Sequence, residues 1–367
     1  MAITARPYGS VTWLERLHMV FSLLPLPVVS IYRLLASFFV EHDKHKSWRR
    51  VLADVSFRFS SSSLKVNQIQ NLLGTDVDVY SKWTRRHRLE SNIEDLGQGA
   101  SLMWLSEKTT DKVVLYIHGG CYCLPMQDFA ADYWKQTVDS INKSNPGTSV
   151  GLVGLIYSLI PDGNFPNQLK QIVIAIQHLI SQGTKPENIH IAGESAGGGL
   201  VLQLLSHLLH PVSSSLSVPS LTLPQGSKFG SMCIMSPIVS LKTKAPSHQE
   251  NTDKDVLPSW SWGELFEYAS PFLKTSDAAG PYAEAWTAPE GWFSGADSVV
   301  KRVFISVGEY ECMRDDVADV MKKFSDDAYL TTFIEKKGVH NSQYLDCMAG
   351  EAGELAVKIA DWVKESL

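Results

Sequence analysis

Residues 193–197 read Gly193-Glu194-Ser195-Ala196-Gly197, placed between the β-rich run Ile189-His190-Ile191-Ala192 and a helix-period segment starting at Gly197. A serine on so sharp a strand-to-helix turn needs a glycine on each side, because a Cβ there would collide with the adjoining elements. The turn pushes the hydroxyl out where a substrate can reach it. Given a base to take its proton, such a hydroxyl suits attack on a carbonyl carbon and formation of an acyl intermediate.

That chemistry needs three further parts. Negative charge develops on the former carbonyl oxygen, and each preorganised amide donor aimed at it stabilises the transition state by about 3–4 kcal/mol. His118-Gly119-Gly120-Cys121 directly follows the apolar run Val113–Ile117. We therefore expect an oxyanion hole from the Gly119/Gly120 turn and the amide of Ala196, with Cys121 as a further donor and His118 as a structural histidine holding the loop. For the base, His340 alone among eleven histidines lies just past the last β-rich run, in Lys337-Gly338-Val339-His340-Asn341. His207 and His210, on the helix after Ser195, are read as packed or solvated. For the acid, Glu311 sits in the loop after Val303–Val307, Glu309 is its closest rival, and Asp315 and Asp316 are expected to cap the next helix. The chain order serine, acid, histidine suits a strand-turn-helix nucleophile.

These residues need a scaffold that brings distant loops to one rim. Val113–Ile117 and Val150–Tyr157 are continuous apolar runs, as expected of strands covered on both faces. Ile189–Ala192, Ser231–Met235, Val303–Val307 and Thr331–Ile334 repeat the theme, with helices predicted over 168–182, 197–209, 315–324 and 351–367. The alternation predicts an α/β fold with a doubly wound, mostly parallel sheet, in which ligands bind beyond the carboxyl ends of the strands. Residues 243–299, rich in proline and tryptophan, read as an insertion that helps cover the site, with Trp260, Trp262 and Tyr122 as candidate pocket residues; tryptophans filling a satellite core are the alternative.

Four blocks together resemble the α/β-hydrolases of the hormone-sensitive-lipase type, and within them fungal esterases and steryl-acetyl-hydrolase-like enzymes found around secondary metabolism. They are His118-Gly119-Gly120-Cys121-Tyr122; Tyr157-Ser158-Leu159-Ile160-Pro161-Asp162 with Phe165-Pro166; Gly193 to Gly198; and Gly308-Glu309-Tyr310-Glu311 with Arg314-Asp315, followed by Val339-His340. The resemblance covers about residues 100–367 and implies Ser195 as nucleophile, Glu311 as acid and His340 as base. Two positions depart from the family pattern: Cys121 stands where a third glycine is usual, and the acid is often aspartate. The expected reaction is hydrolysis of a small hydrophobic carboxylic ester without metal or cofactor. The apolar N-terminal cap and the tryptophan-bearing insertion suggest a bulky alcohol part such as a terpenoid, sterol or polyketide, and the Cys121 side chain a short acyl group such as acetyl. Acyl transfer, lactonisation, elimination or cyclisation by the same residues is the alternative, and a non-catalytic ligand binder a second one.

Composition narrows the partners. Thirty-nine acidic against thirty-three basic residues give a formal charge of −6 over 367 residues, with no footprint for a nucleic-acid backbone. Five scattered cysteines, including the Cys121/Cys123 pair, match no disulfide or zinc spacing and suggest a reducing, cytoplasmic setting. Residues 1–75 read as an appended helical cap or lid, with 76–367 as the catalytic domain and Ser60-Ser61-Ser62-Ser63 as a local breaker. Within the appendage, residues 20–40 are the most apolar stretch. Pro25 and Pro27 interrupt it, Arg33 would cost about 2.5–3.5 kcal/mol at a bilayer centre, and the apolar residues at 28, 31, 32, 35, 38 and 39 share one helical face. A lid helix is preferred over a membrane-surface helix, and either over a span; a cleaved signal peptide fits poorly. Oligomeric state is not legible.

Overall fold

The computed structural model describes residues 6–145, 147, 149–276, 279–325 and 328–367. Among these residues eight strands form one sheet: β1 Ile93–Gly97, β2 Ala100–Trp104, β3 Lys112–Ile117, β4 Val150–Ile156, β5 Ile189–Glu194, β6 Ser231–Met235, β7 Val303–Gly308 and β8 Leu330–Glu335, in the order β1-β2-β4-β3-β5-β6-β7-β8. From β4 to β8 every pairing is parallel, and the antiparallel β1–β2 hairpin continues the sheet beyond β4. The chain leaves β3 for β4 on one side and returns to β5 on the other. Loops after β3 and β5 therefore diverge around a crevice at the carboxyl edge, where sheets of this kind bind ligands.

Alternation along β3 explains why both sheet faces are covered. Val113, Leu115 and Ile117 join one apolar cluster, while Val114 and Tyr116 join the cluster on the opposite face. All five are essentially inaccessible to solvent, and each large aliphatic side chain so buried contributes about 1.5–3 kcal/mol.

Among the described residues five helices precede the sheet: α1 Trp13–Leu23, α2 Leu26–Ala36, α3 Trp48–Ser63, α4 Val66–Leu73 and α5 Asp76–His87. Among the described residues nine more lie between or after the strands from β3 onward: α6 Asp128–Ser144, α7 Asn167–Ser181, α8 Ala196–Leu209, α9 Pro246–Glu250, α10 Ser259–Leu273, α11 Gly280–Ala283, α12 Arg314–Met321, α13 Ser342–Ala349 and α14 Glu354–Ser366. Ser60–Ser63 do not break the chain as expected but form the last turn of α3. Two of these hydroxyls find partners, Ser61 Oγ donating locally to the Arg58 carbonyl and Ser62 Oγ meeting Ser261 Oγ of the distant α10 at 3.1 Å. Nor do Asp315 and Asp316 cap α12: Met313 holds that position, and the two carboxylates occupy the first turn, where they complement the positive helix end. The N-terminal helices are tied to the body by charge, since buried Arg50 of α3 bonds Asp54 and reaches Asp346 of α13.

Candidate active site

β5 ends at Glu194, and Ser195 takes φ +54°, a conformation rare outside glycine. Its neighbours make that turn possible. A Cβ on Gly193 would run into the carbonyl of Gly197, and one on Gly197 into that of Ile117. The Ser195 amide donates to the Met235 carbonyl at 2.9 Å, and its own carbonyl accepts from Ile238 and Gly199, so the strained turn is pinned from both sides.

Behind β7, Glu311 is buried, and its carboxylate is fully engaged. Oε2 lies 2.9 Å from His340 Nδ1; Oε1 accepts from Ser236 Oγ at 2.6 Å and from the Gly308 amide at 2.5 Å. His340, buried to 3% exposure, follows β8, stands edge-on to Trp262 with ring centroids 4.9 Å apart, and shares with Ser195 the wall of one cavity of about 350 Å³. A carboxylate on Nδ1 fixes the imidazole proton there and leaves Nε2 free to accept another. Glu309, the rival acid, points elsewhere and accepts the Lys337 amide at 2.7 Å.

The expected oxyanion donors divide. Gly119 does not present its amide to the cavity as anticipated: that N–H donates to Glu194 Oε1 at 2.6 Å. Gly119 matters instead for closeness, because a Cβ there would lie 2.9 Å from the Cβ of Ser195. Gly120 and Cys121 line the cavity, Ala196 opens α8, and among the described residues the amides of these three find no acceptor. Cys121 holds φ +53° where the resemblance leads one to expect glycine. His118 is structural in its surroundings, stacked on Tyr157 at 4.4 Å with Nε2 3.2 Å from Asp76. His207 and His210 are packed against the carbonyls of Pro219 and Trp292.

Of the three candidate pocket residues, only Trp262 reaches the cavity. Tyr122, at φ +59°, turns beneath α8 and receives a hydrogen bond from Gln203 Nε2 at 3.3 Å. Trp260 is 56% exposed with the Arg58 guanidinium over its ring. Residues two apart on a helix face away from one another, so α10 turns Trp262 inward and Trp260 out. The insertion itself divides likewise: Leu257, Trp262 and Leu265 line the cavity, whereas Trp292 packs on Tyr282 and on His210 at the C-terminal end of α8. On the N-terminal side α3 and α4 supply the cavity wall, including Phe57, Ile69 and Leu72, and no residue of α1 or α2 lines it.

Two carboxylates went unread in the sequence. Glu194 accepts Gly119 N, Tyr116 Oη at 2.9 Å and Tyr344 Oη at 3.0 Å; burial pushes its pKa up to about 7 despite those three donors. Its place between Gly193 and Ser195 was a usable signal. A pKa raised above the unfolded value means stability fully present below about 4.5 and lost as pH rises through about 7. Glu194→Gln keeps an acceptor for Gly119 without the charge. Its melting temperature is expected to fall less than the wild type's between pH 5 and 8, measured by calorimetry across that range; parallel curves would contradict this assignment.

Asp255, in the insertion, is the other. Oδ1 accepts the amides of His340 and Val256 and Oδ2 that of Cys312, so one buried side chain ties the acid loop to the base loop. Burial, followed by the nearby Glu311 carboxylate, raises its pKa to about 6. In Asp255→Asn one donor must face an amide donor, at a cost of roughly 1–3 kcal/mol. A kcat loss of about 10-fold with KM within about twofold is expected from steady-state kinetics on a soluble ester; a KM effect alone would place Asp255 outside the positioning of His340.

The α/β-hydrolase fold family profile matches residues 114–343. Among curated relatives, an acetyl-hydrolase of Streptomyces hygroscopicus is 26% identical over 214 residues, covering 58% of this chain and 62% of its own, so the chain spans less than two thirds of it. A provisionally named steryl acetyl hydrolase of Schizosaccharomyces pombe is 24% identical over 332 residues, covering 86% of this chain and 81% of its own. Among solved structures, an esterase of the bacterial hormone-sensitive lipase family superposes with a TM-score of 0.62 at 18% identity over 88% of this chain and 99% of that one. On the fold and the profile match together, this chain belongs to the α/β-hydrolase fold family.

Proposed function

We propose that this chain hydrolyses carboxylic esters through an acyl-enzyme formed on Ser195. His340 Nε2 takes the Ser195 proton as Oγ attacks the carbonyl carbon. The oxyanion rests on the amides of Gly120, Cys121 and Ala196. The tetrahedral intermediate collapses, the ester C–O bond breaks, and the alcohol leaves with the proton from His340. Water then repeats the sequence on the acyl-enzyme and releases the acid, while Glu311 holds the imidazole tautomer and stabilises the imidazolium. The observation that carries this reading is the 2.9 Å contact between His340 Nδ1 and Glu311 Oε2 on a histidine that shares a cavity wall with Ser195.

Support for the substrate comes from the cavity. Phe57, Val66, Ile69, Leu257, Trp262 and Leu265 give it an apolar lining suited to a bulky hydrophobic alcohol such as a terpenoid, sterol or polyketide. The Cys121 side chain beside the amide donors leaves room for a short acyl group such as acetyl, in keeping with the names of both relatives. On aryl esters from acetate to laurate, kcat/KM is expected to fall by at least about 10-fold, since each methylene that finds no room forfeits about 0.8 kcal/mol. Equal or greater activity on laurate would overturn the short-acyl reading. Product analysis in the presence of an added alcohol separates hydrolysis from acyl transfer, with free acid as the expected product.

A further inference from the structure

The apolar face that the sequence assigns to residues 28–39 does not pack on the protein. Val28, Ile31, Tyr32, Leu35, Phe38 and Phe39 are each more than 60% exposed, and α1 extends the patch through Trp13, Leu14 and Phe21. Large apolar side chains exposed together along one side of a helix mark an interaction surface. The opposite side of α2 rests on α3, and Arg33 there reaches Asp43 at 3.0 Å.

We infer that this face docks on a lipid bilayer with anionic headgroups, lying in the interface with the cavity mouth beside it. Charge favours that occupant. Residues 1–50 carry seven basic against three acidic groups in a chain of net charge −6, and Arg16, Lys44 and Arg49 are exposed. Basic residues flanking an apolar helix face suit an anionic interface. Position connects the patch to the site. The segment before α1 and its first turn are hydrogen-bonded along α4, through Gly9 to Gln70 and the Glu15 carbonyl to Gln68, and α4 lends Ile69, Leu72 and Leu73 to the cavity. Leu72 and Met348, both lining residues, are themselves about half exposed. Trp13–Ala36 is a 24-residue helical run long and apolar enough to cross a bilayer. Its packing against α3 and α4, with Glu15, Arg16 and Arg33 inside the run, favours lying flat. Resting on the ester-hydrolase reading, the arrangement makes the natural substrate a lipid-dissolved ester entering from the bilayer.

The test is vesicle flotation of the full chain with phosphatidylcholine and with mixed phosphatidylcholine–phosphatidylserine vesicles. The wild type is expected to float with the mixed vesicles, less with the neutral ones. The variant I31Q/L35Q/F38S/F39S should partition about 100-fold more weakly or less, given the apolar area it withdraws; the charge reversal R16E/R49E should lose the preference for anionic lipid. Both variants should keep wild-type hydrolysis of a water-soluble short ester. Wild type that stays in the soluble fraction overturns the proposal, whether as a monomer or, by light scattering, as a dimer that I31Q/L35Q/F38S/F39S dissociates. Flotation without hydrolysis by wild type would leave the docking intact and refute the ester-hydrolase reading alone.

Discussion

Ser195→Ala is expected to lower kcat on a soluble acetyl ester by about 10⁵–10⁶. In the proposed mechanism the serine supplies the nucleophile, and no other hydroxyl among the described residues stands on the β5–α8 turn. Structure should survive the change. No protein hydrogen bond to Ser195 Oγ exists among the described residues, so its loss orphans no partner, and alanine accepts the strained φ no worse than serine. Thermal unfolding should therefore stay within about a degree or two of wild type, an effect of less than about 0.5 kcal/mol. On the same proposal the residual rate belongs to the amides of Gly120, Cys121 and Ala196, so adding His340→Ala should cost little more. Additive losses in the double variant would mean that the two side chains act separately.

Glu311→Gln is the second large effect, on the order of 10⁴ in kcat. Its direction follows from the donors around the carboxylate. Gly308 N can only donate, so the glutamine carbonyl must stay on that side, beside Ser236 Oγ. The NH2 then faces His340 Nδ1, which must become an acceptor. The imidazole proton moves to Nε2, and the atom meant to take the Ser195 proton already carries one. Steady-state kinetics on Glu311→Gln and Glu309→Gln side by side provide the check. Glu309 only steadies the Lys337 amide, so its variant should lose less than about threefold; reversal of that order would transfer the acid role to Glu309.

The central sheet was readable because β3 and β4 are covered on both faces and so appear as unbroken apolar runs. β1 was not. Ile93-Glu94-Asp95-Leu96-Gly97 is an edge strand, exposed or half-exposed throughout, and its pairing with β2 depends on a turn at Gly97–Ala100. The post-strand loops could be found because each motif is local and follows a strand. Asp255 could not, since its three amide partners include one from the loop after β7 and one from the loop after β8, far away in sequence. Gly119 was misjudged for a related reason: the competitor for its amide, Glu194, lies on the neighbouring strand β5. The N-terminal periodicity gave the correct apolar face but not its direction. Amphipathicity says that one side of a helix avoids water, and whether protein or lipid covers that side is settled by what the rest of the chain leaves open.

The central claim is that Ser195, His340 and Glu311 act as one unit at the carboxyl edge of the sheet. Reaction with a fluorophosphonate, followed by intact mass and peptide mapping, tests it without knowledge of the natural ester. Wild type should gain one adduct, on the peptide bearing Ser195, and His340→Ala should slow that gain by at least about 10³. An adduct elsewhere, or equal labelling rates in wild type and His340→Ala, would contradict it.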